Sequence, residues 1–148
     1  MSDAAAPTDC TILLADDDAA VLQVLAFAFK KAGYHVTTAE DGTKALAALE
    51  GKRYDLLLLD ILMPGATGWE VLARAIETTP AGKPLPRAVL ITGFNQEYVL
   101  DFQLLQEEGV SAMLLKPFTA AVILEEVERV LAMPPVFTLP KAAQKSKA

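Results

Sequence analysis

The stretch that decides the fold is Leu56-Leu57-Leu58-Leu59-Asp60-Ile61-Leu62-Met63-Pro64-Gly65. Its leucine run, apolar without alternation, reads as a strand covered on both faces, the pattern of a parallel sheet held between two helical layers. Asp60 interrupts the run well short of the roughly 18 apolar residues that a membrane span requires. Pro64-Gly65 then turns the chain. A carboxylate that closes so apolar a strand either merely ends it or carries chemistry, and the polar residues at the other strand ends decide between the two.

Outward from this strand, short apolar runs alternate with longer segments of helical period, which predicts α/β architecture. Strands are expected over 11–15, 35–39, 55–59, 87–91 and 111–115. Helices are expected over 19–32, stopped by Gly33, and from Asp41-Gly42 to about 50. A third opens at a Thr67 N-cap, with Glu70 completing a capping box, and stops before Pro80. The last two are expected over 95–108, closed by Gly109, and over 119–132. Such βα units predict a doubly wound, flavodoxin-like five-stranded parallel sheet of order 2-1-3-4-5. One domain over 10–132 accommodates them. Residues 1–9 are expected to be disordered, and 133–148, which open on Pro134-Pro135 and end rich in lysine, to form a flexible tail.

Composition excludes several function classes. The chain has 148 residues, 53% of them hydrophobic, and its mean hydropathy is +0.32, a surplus that must enter a core since no membrane span is present. The first nine residues lack a basic segment followed by an apolar one, so no secretory signal is read and cytoplasmic residence is expected. A net charge of −6 disfavours direct nucleic-acid binding, which needs clustered Lys and Arg. Cys10 stands alone, which excludes an internal disulfide and a paired-cysteine metal site. His35 also stands alone and reads as a half-exposed strand residue.

Oxygen and lysine chemistry remains. Ligands of open parallel sheets bind beyond the carboxyl ends of the strands, where strand order reverses. There the sequence places Asp16-Asp17-Asp18 after the first strand, Asp60 after the third, Thr92 after the fourth and Lys116 after the fifth. Converging carboxylates oppose folding unless a cation compensates them, and Mg²⁺ (or Mn²⁺) suits hard oxygen donors while leaving room for a phosphate oxygen. Lys116 and Thr92 suit the oxygens of a phosphoryl group in transfer, and a carboxylate such as Asp60 can be the nucleophile. Asp18 reads simply as a helix cap.

Ile12-Leu13-Leu14-Ala15-Asp16-Asp17-Asp18, the 56–65 stretch, Leu90-Ile91-Thr92-Gly93 and Leu114-Leu115-Lys116-Pro117-Phe118 together resemble the receiver domains of two-component response regulators. The resemblance covers about 11–132. It implies that Asp60 is the phosphoacceptor, that Asp16 and Asp17 form the acidic pair with Asp17 the direct metal ligand, and that the Leu62 backbone carbonyl completes the protein's share of the metal shell. Thr92 and Lys116 match the hydroxyl and the lysine that bind the phosphoryl group, and Lys116-Pro117 matches a cis junction. The implied partners are a sensor histidine kinase or histidine phosphotransfer protein upstream and a protein target downstream, with a phosphorylation-dependent dimer as a further form. The chain is then a signalling domain rather than an enzyme, with at most slow autodephosphorylation.

Some positions depart from that pattern. Met113 stands where receivers usually carry a switching aromatic. Leu62 and Phe94 occupy positions that line the approach of hydrolytic water, and both are apolar, so slow loss of the phosphoryl group is expected. The segment after Ala132 is too short for an effector domain, which suggests a stand-alone receiver signalling through a surface. On the fourth helix Tyr98, Phe102 and Leu105 suit the core. Leu100 and Leu104 project oppositely among Glu97, Asp101, Glu107 and Glu108 as a partner or dimer contact. Two other classes are weighed. A haloacid-dehalogenase-type phosphatase would need an Asp where Leu62 stands, and a phosphorylation-independent scaffold would have lost some of the site residues, which are all present. A flavodoxin-like electron carrier would not place three aspartates against flavin phosphate.

Overall fold

The computed structural model describes residues 9–93, 106–107 and 109–139. Five parallel strands form one sheet in the order β2-β1-β3-β4-β5: β1 (Thr11–Ala15), β2 (His35–Ala39), β3 (Leu56–Asp60), β4 (Arg87–Thr92) and β5 (Ala112–Leu115). The expected order and helix positions hold, with small shifts at the ends. β3 starts one residue later and takes in Asp60, whose backbone pairs with Ile91 of β4. β4 likewise takes in Thr92. Three helices connect strands among the described residues, α1 (Ala19–Lys31), α2 (Gly42–Ala48) and α3 (Gly68–Glu77), and a further one, α4 (Ala120–Leu131), follows β5. Most of the helix expected over 95–108 lies outside the described residues, including Tyr98, Leu100, Phe102, Leu104 and Leu105. Gln106 and Glu107 are helical, and Gly109 follows at φ +101°.

Side chains that alternate along each strand feed two apolar layers. Leu13, Leu57, Leu59 and Leu90 pack toward α2 and α3 with Val71, Leu72 and Ala75. Ile12, Leu14, Leu56, Leu58, Val89 and Ile91 pack toward α1 and α4 with Leu25, Phe29, Ile123 and Val127. All four leucines of β3 are fully buried, each contributing about 1.5–3 kcal/mol by leaving water. The mean hydropathy is thereby accounted for by central strands buried on both faces, and no helix among the described residues is long and apolar enough to cross a membrane.

Helix ends are fixed as the sequence dictates. Asp18 caps α1 by accepting from the amides of Ala20 and Val21. Thr67 and Glu70 form the reciprocal capping box of α3. Beyond α4, residues 133–139 run back over the start of β4. The Leu85 amide donates to the Val136 carbonyl at 2.8 Å, and Leu139 lies beside Gly109 and Ile76. The Arg87 guanidinium donates to the carbonyls of Val130 and Met133, closing the end of α4 against the sheet.

Candidate functional site

β1 and β3 are neighbours in the sheet although α1, β2 and α2 lie between them in sequence. The helices that follow the two strands leave on opposite faces, so a crevice opens at their carboxyl ends. Asp16 follows β1 directly and is fully buried, whereas Asp17 beside it is exposed. Asp60 ends β3 at 5% exposure. One carboxylate oxygen from each of Asp16, Asp17 and Asp60 falls within 4.8 Å of the others. The structure therefore brings the three predicted acids together.

Lys116 reaches in from the end of β5. Its Nζ lies 3.2 Å from Asp60 Oδ2, 3.3 Å from Asp16 Oδ1 and 3.0 Å from Asp16 Oδ2. The peptide between Lys116 and Pro117 is cis, as the resemblance implied. The Lys116 amide donates to the Thr92 carbonyl at 2.8 Å, so the ammonium and the Thr92 hydroxyl are carried on bonded backbone. Thr92 is 4% exposed and its Oγ1 donates to the Gly93 carbonyl at 3.2 Å. Leu62 lies in the loop after β3 with its side chain in solvent. Phe94 lies outside the described residues.

The charges are strained. Burial first, and then the charge of Asp16, push the Asp60 carboxyl up to about 6, with Lys116 opposing. Burial pulls the Lys116 ammonium down, but Asp16 and Asp60 outweigh it and hold it above its ordinary range. One ammonium thus serves two buried carboxylates. Asp16 Oδ1 also accepts from the Asp18 amide at 2.8 Å. Asp16 Oδ2, though close to Nζ, lies outside hydrogen-bonding geometry and is the one buried side-chain polar atom among the described residues without a donor. A buried carboxylate oxygen that is ion-paired but accepts no hydrogen bond, inside a cluster of hard oxygen donors, fits a divalent cation of the hard class.

Sequence reasoning overlooked two contributions. It read Asp18 only as a cap, whereas its amide also orients Asp16; the signal was available in Asp16 itself, since an Asp side chain commonly accepts from the amide two residues on. It also overlooked Gly42 and Gly68, which touch the loop after Asp60. His35 is exposed at the start of β2, the strand end farthest from the acids, and has no part in the site. Burial and then Asp55 push the Cys10 thiol up to about 11, so it is no nucleophile at neutral pH.

The chain as a whole is similar to known proteins. The response regulator receiver domain family matches residues 12–128. The response regulator receiver protein CpdR of Brucella abortus is 36% identical over 120 residues, 81% of this chain and 95% of that protein. The chemotaxis protein CheY of Pseudomonas aeruginosa is 31% identical over 80% of this chain and 94% of its own. Among solved structures, a CheY-like receiver domain from Methanospirillum hungatei superposes with a TM-score of 0.71 at 26% identity, covering 95% of this chain and 99% of its own. Since the matched residues run from the first strand into the last helix and contain the whole acidic crevice, the chain belongs to the response regulator receiver family of two-component signalling.

Proposed function

We propose that Asp60 accepts a phosphoryl group from the phosphohistidine of a sensor histidine kinase or histidine phosphotransfer protein, and that the modified domain signals by binding another protein. The observation that carries this reading is the meeting of Asp16, Asp17 and Asp60 within 4.8 Å, with the Lys116 ammonium bridging two of them. Asp16, Asp17, Asp60 and the Leu62 carbonyl are the groups that would hold Mg²⁺ (or Mn²⁺), which when bound neutralises charge on the transferring phosphoryl oxygens. An Asp60 oxygen attacks phosphorus in line with the departing imidazole nitrogen: the O–P bond forms as the N–P bond breaks, and the imidazole leaves with the electron pair. Lys116 releases Asp60 and pairs with the phosphoryl oxygens, and the Thr92 hydroxyl turns from the Gly93 carbonyl to donate to another of them. Asp16 stays as the buried base of the pocket, fixed by the Asp18 amide.

Two surfaces support the choice of partners. α1 begins directly after the acids and exposes Val24 (58%) and Phe27 (69%) one turn apart on a face shared with Ala20. That apolar ridge beside the pocket suits docking of a helical phosphodonor. At the other edge of the sheet Leu115 and Val122 are exposed on β5 and α4, which suits a downstream protein or a second copy of the phosphorylated chain. The test is incubation with Mg²⁺ and acetyl phosphate, read by intact mass. Wild type gains one phosphoryl group and Asp60→Asn gains none; an equal adduct on both, or none on wild type, overturns the assignment.

A further inference from the structure

The loop that follows Asp60 is held from outside the pocket. Ile61, Met63 and Ala66 are buried while Leu62, Pro64 and Gly65 are exposed, so the loop presses a ragged edge against its neighbours. One neighbour is the start of α2, which contributes none of the acids. There the Gly42 amide donates to the Pro64 carbonyl at 2.8 Å. A methyl group built on Gly42 would fall 2.1 Å from the Ala66 carbonyl oxygen, 2.5 Å from its amide nitrogen and 2.6 Å from its carbonyl carbon. These are backbone atoms, which cannot swing aside as a side-chain tip does. The contact is reciprocal: Gly65, at φ +88°, leaves the space that a side chain would take from Thr43 Oγ1, 2.1 Å from the position of its missing methyl. At the far end of the loop the Gly68 amide donates to the Ile61 carbonyl at 2.9 Å, and a methyl there would meet the Asp60 carbonyl oxygen at 2.5 Å.

We propose that Gly42 is a positioning residue for the metal site: its backbone contact with 64–66 sets the path of the loop that carries the Leu62 carbonyl. The role rests on the reading of Asp60, Asp17 and Leu62 as metal-holding groups. A side chain at 42 would drive α2 and the loop apart, and the loss would fall on the carbonyl ligand rather than on the carboxylates, which are carried on β1 and β3. Loss of groups that orient metal ligands weakens metal binding by about 10–100-fold, and about tenfold is expected for Gly42→Ala because only one ligand is displaced.

Calorimetric titration of Mg²⁺ into metal-free wild type, Gly42→Ala and Val127→Ala tests this. Val127 is fully buried in the layer on the other side of the sheet, so Val127→Ala loosens the fold without touching the loop. Gly42→Ala is expected to bind Mg²⁺ about tenfold more weakly while its labelling by acetyl phosphate recovers at saturating Mg²⁺; Val127→Ala keeps the wild-type affinity. A folded Gly42→Ala with unchanged affinity overturns the positioning role, and so does an equal loss in Val127→Ala. The wild type alone gives a second measurement that needs no variant. The Gly42 amide resonance is expected to move with Mg²⁺ in step with that of Asp60, and a fixed Gly42 beside a moving Asp60 overturns the proposal. If wild type binds no Mg²⁺, both readings fall; if it binds and labels while Gly42→Ala does so equally well, only the positioning role falls.

Discussion

The Asp60 carboxyl, raised to about 6 chiefly by burial, ties chemistry to stability. Its proton is held more tightly in the folded chain than in the unfolded one. The stabilisation is therefore fully present below the ordinary carboxylate range and is lost as pH rises through about 6. In EDTA, Asp60→Asn escapes that loss. Denaturant midpoints are expected to show the variant gaining on wild type by on the order of 1 kcal/mol between pH 5 and pH 8, with the gap narrowing when Mg²⁺ is restored. Leu62 governs a different property. It stands in solvent two residues beyond Asp60, the proposed acceptor, and offers no hydrogen bond to an attacking water. Leu62→Asn should shorten the lifetime of the aspartyl phosphate several-fold when decay is followed by mass after removal of the donor, and an unchanged decay argues against the water-access account. At this scale the sequence was informative about identity but not about state. That Asp16, Asp17, Asp60 and Lys116 gather at one end of the sheet was legible from residue type and strand end. That Asp16 is buried and Asp17 exposed was not, because adjacent residues of one type carry no signal of which faces inward.

At the scale of elements, α1 and α3 have separable roles. α1 joins its buried face of Leu22, Leu25 and Phe29 to an outer ridge that includes Phe27. Phe27→Glu is expected to slow phosphoryl transfer from a histidine phosphotransfer protein by tenfold or more while leaving acetyl phosphate labelling intact, a split that a folding defect would not produce. α3 depends on its first turn, where the capping box satisfies two otherwise orphaned amides. Thr67→Ala should cost about 1 kcal/mol in denaturant unfolding. The box was legible because it is local, three residues from end to end. The contact of Gly42 with Ala66 was not: Asp41-Gly42 reads as a turn, and nothing in its neighbourhood reports that a loop two dozen residues away will lie against it. The uniform Leu56–Leu59 run specified a strand buried on both faces but not its last residue, since the ladder continues through the Asp60 backbone whatever its side chain does.

For the whole molecule, two apolar layers share one sheet, so stability and the pocket meet in the same strands. Leu57→Ala, at a fully buried position in the α2–α3 layer, is expected to lose about 2–5 kcal/mol, part of which Mg²⁺ should restore if, as proposed, it binds the folded site. The reading of 133–148 as a Pro/Lys-rich flexible tail did not say where 133–139 run. Two prolines and no helical period look like a tail, and the bond from Leu85 to Val136 joins segments that are remote in sequence. That course has a practical side. All five strands run the same way, so β1 sets out from the pole opposite the acids, and α4 returns to that pole before the Val136 bond. Partners fused directly at Asp9 and at Leu139 are thereby expected to start from the pole away from the proposed site, and such a chain should accept a phosphoryl group from acetyl phosphate as fast as the unfused one.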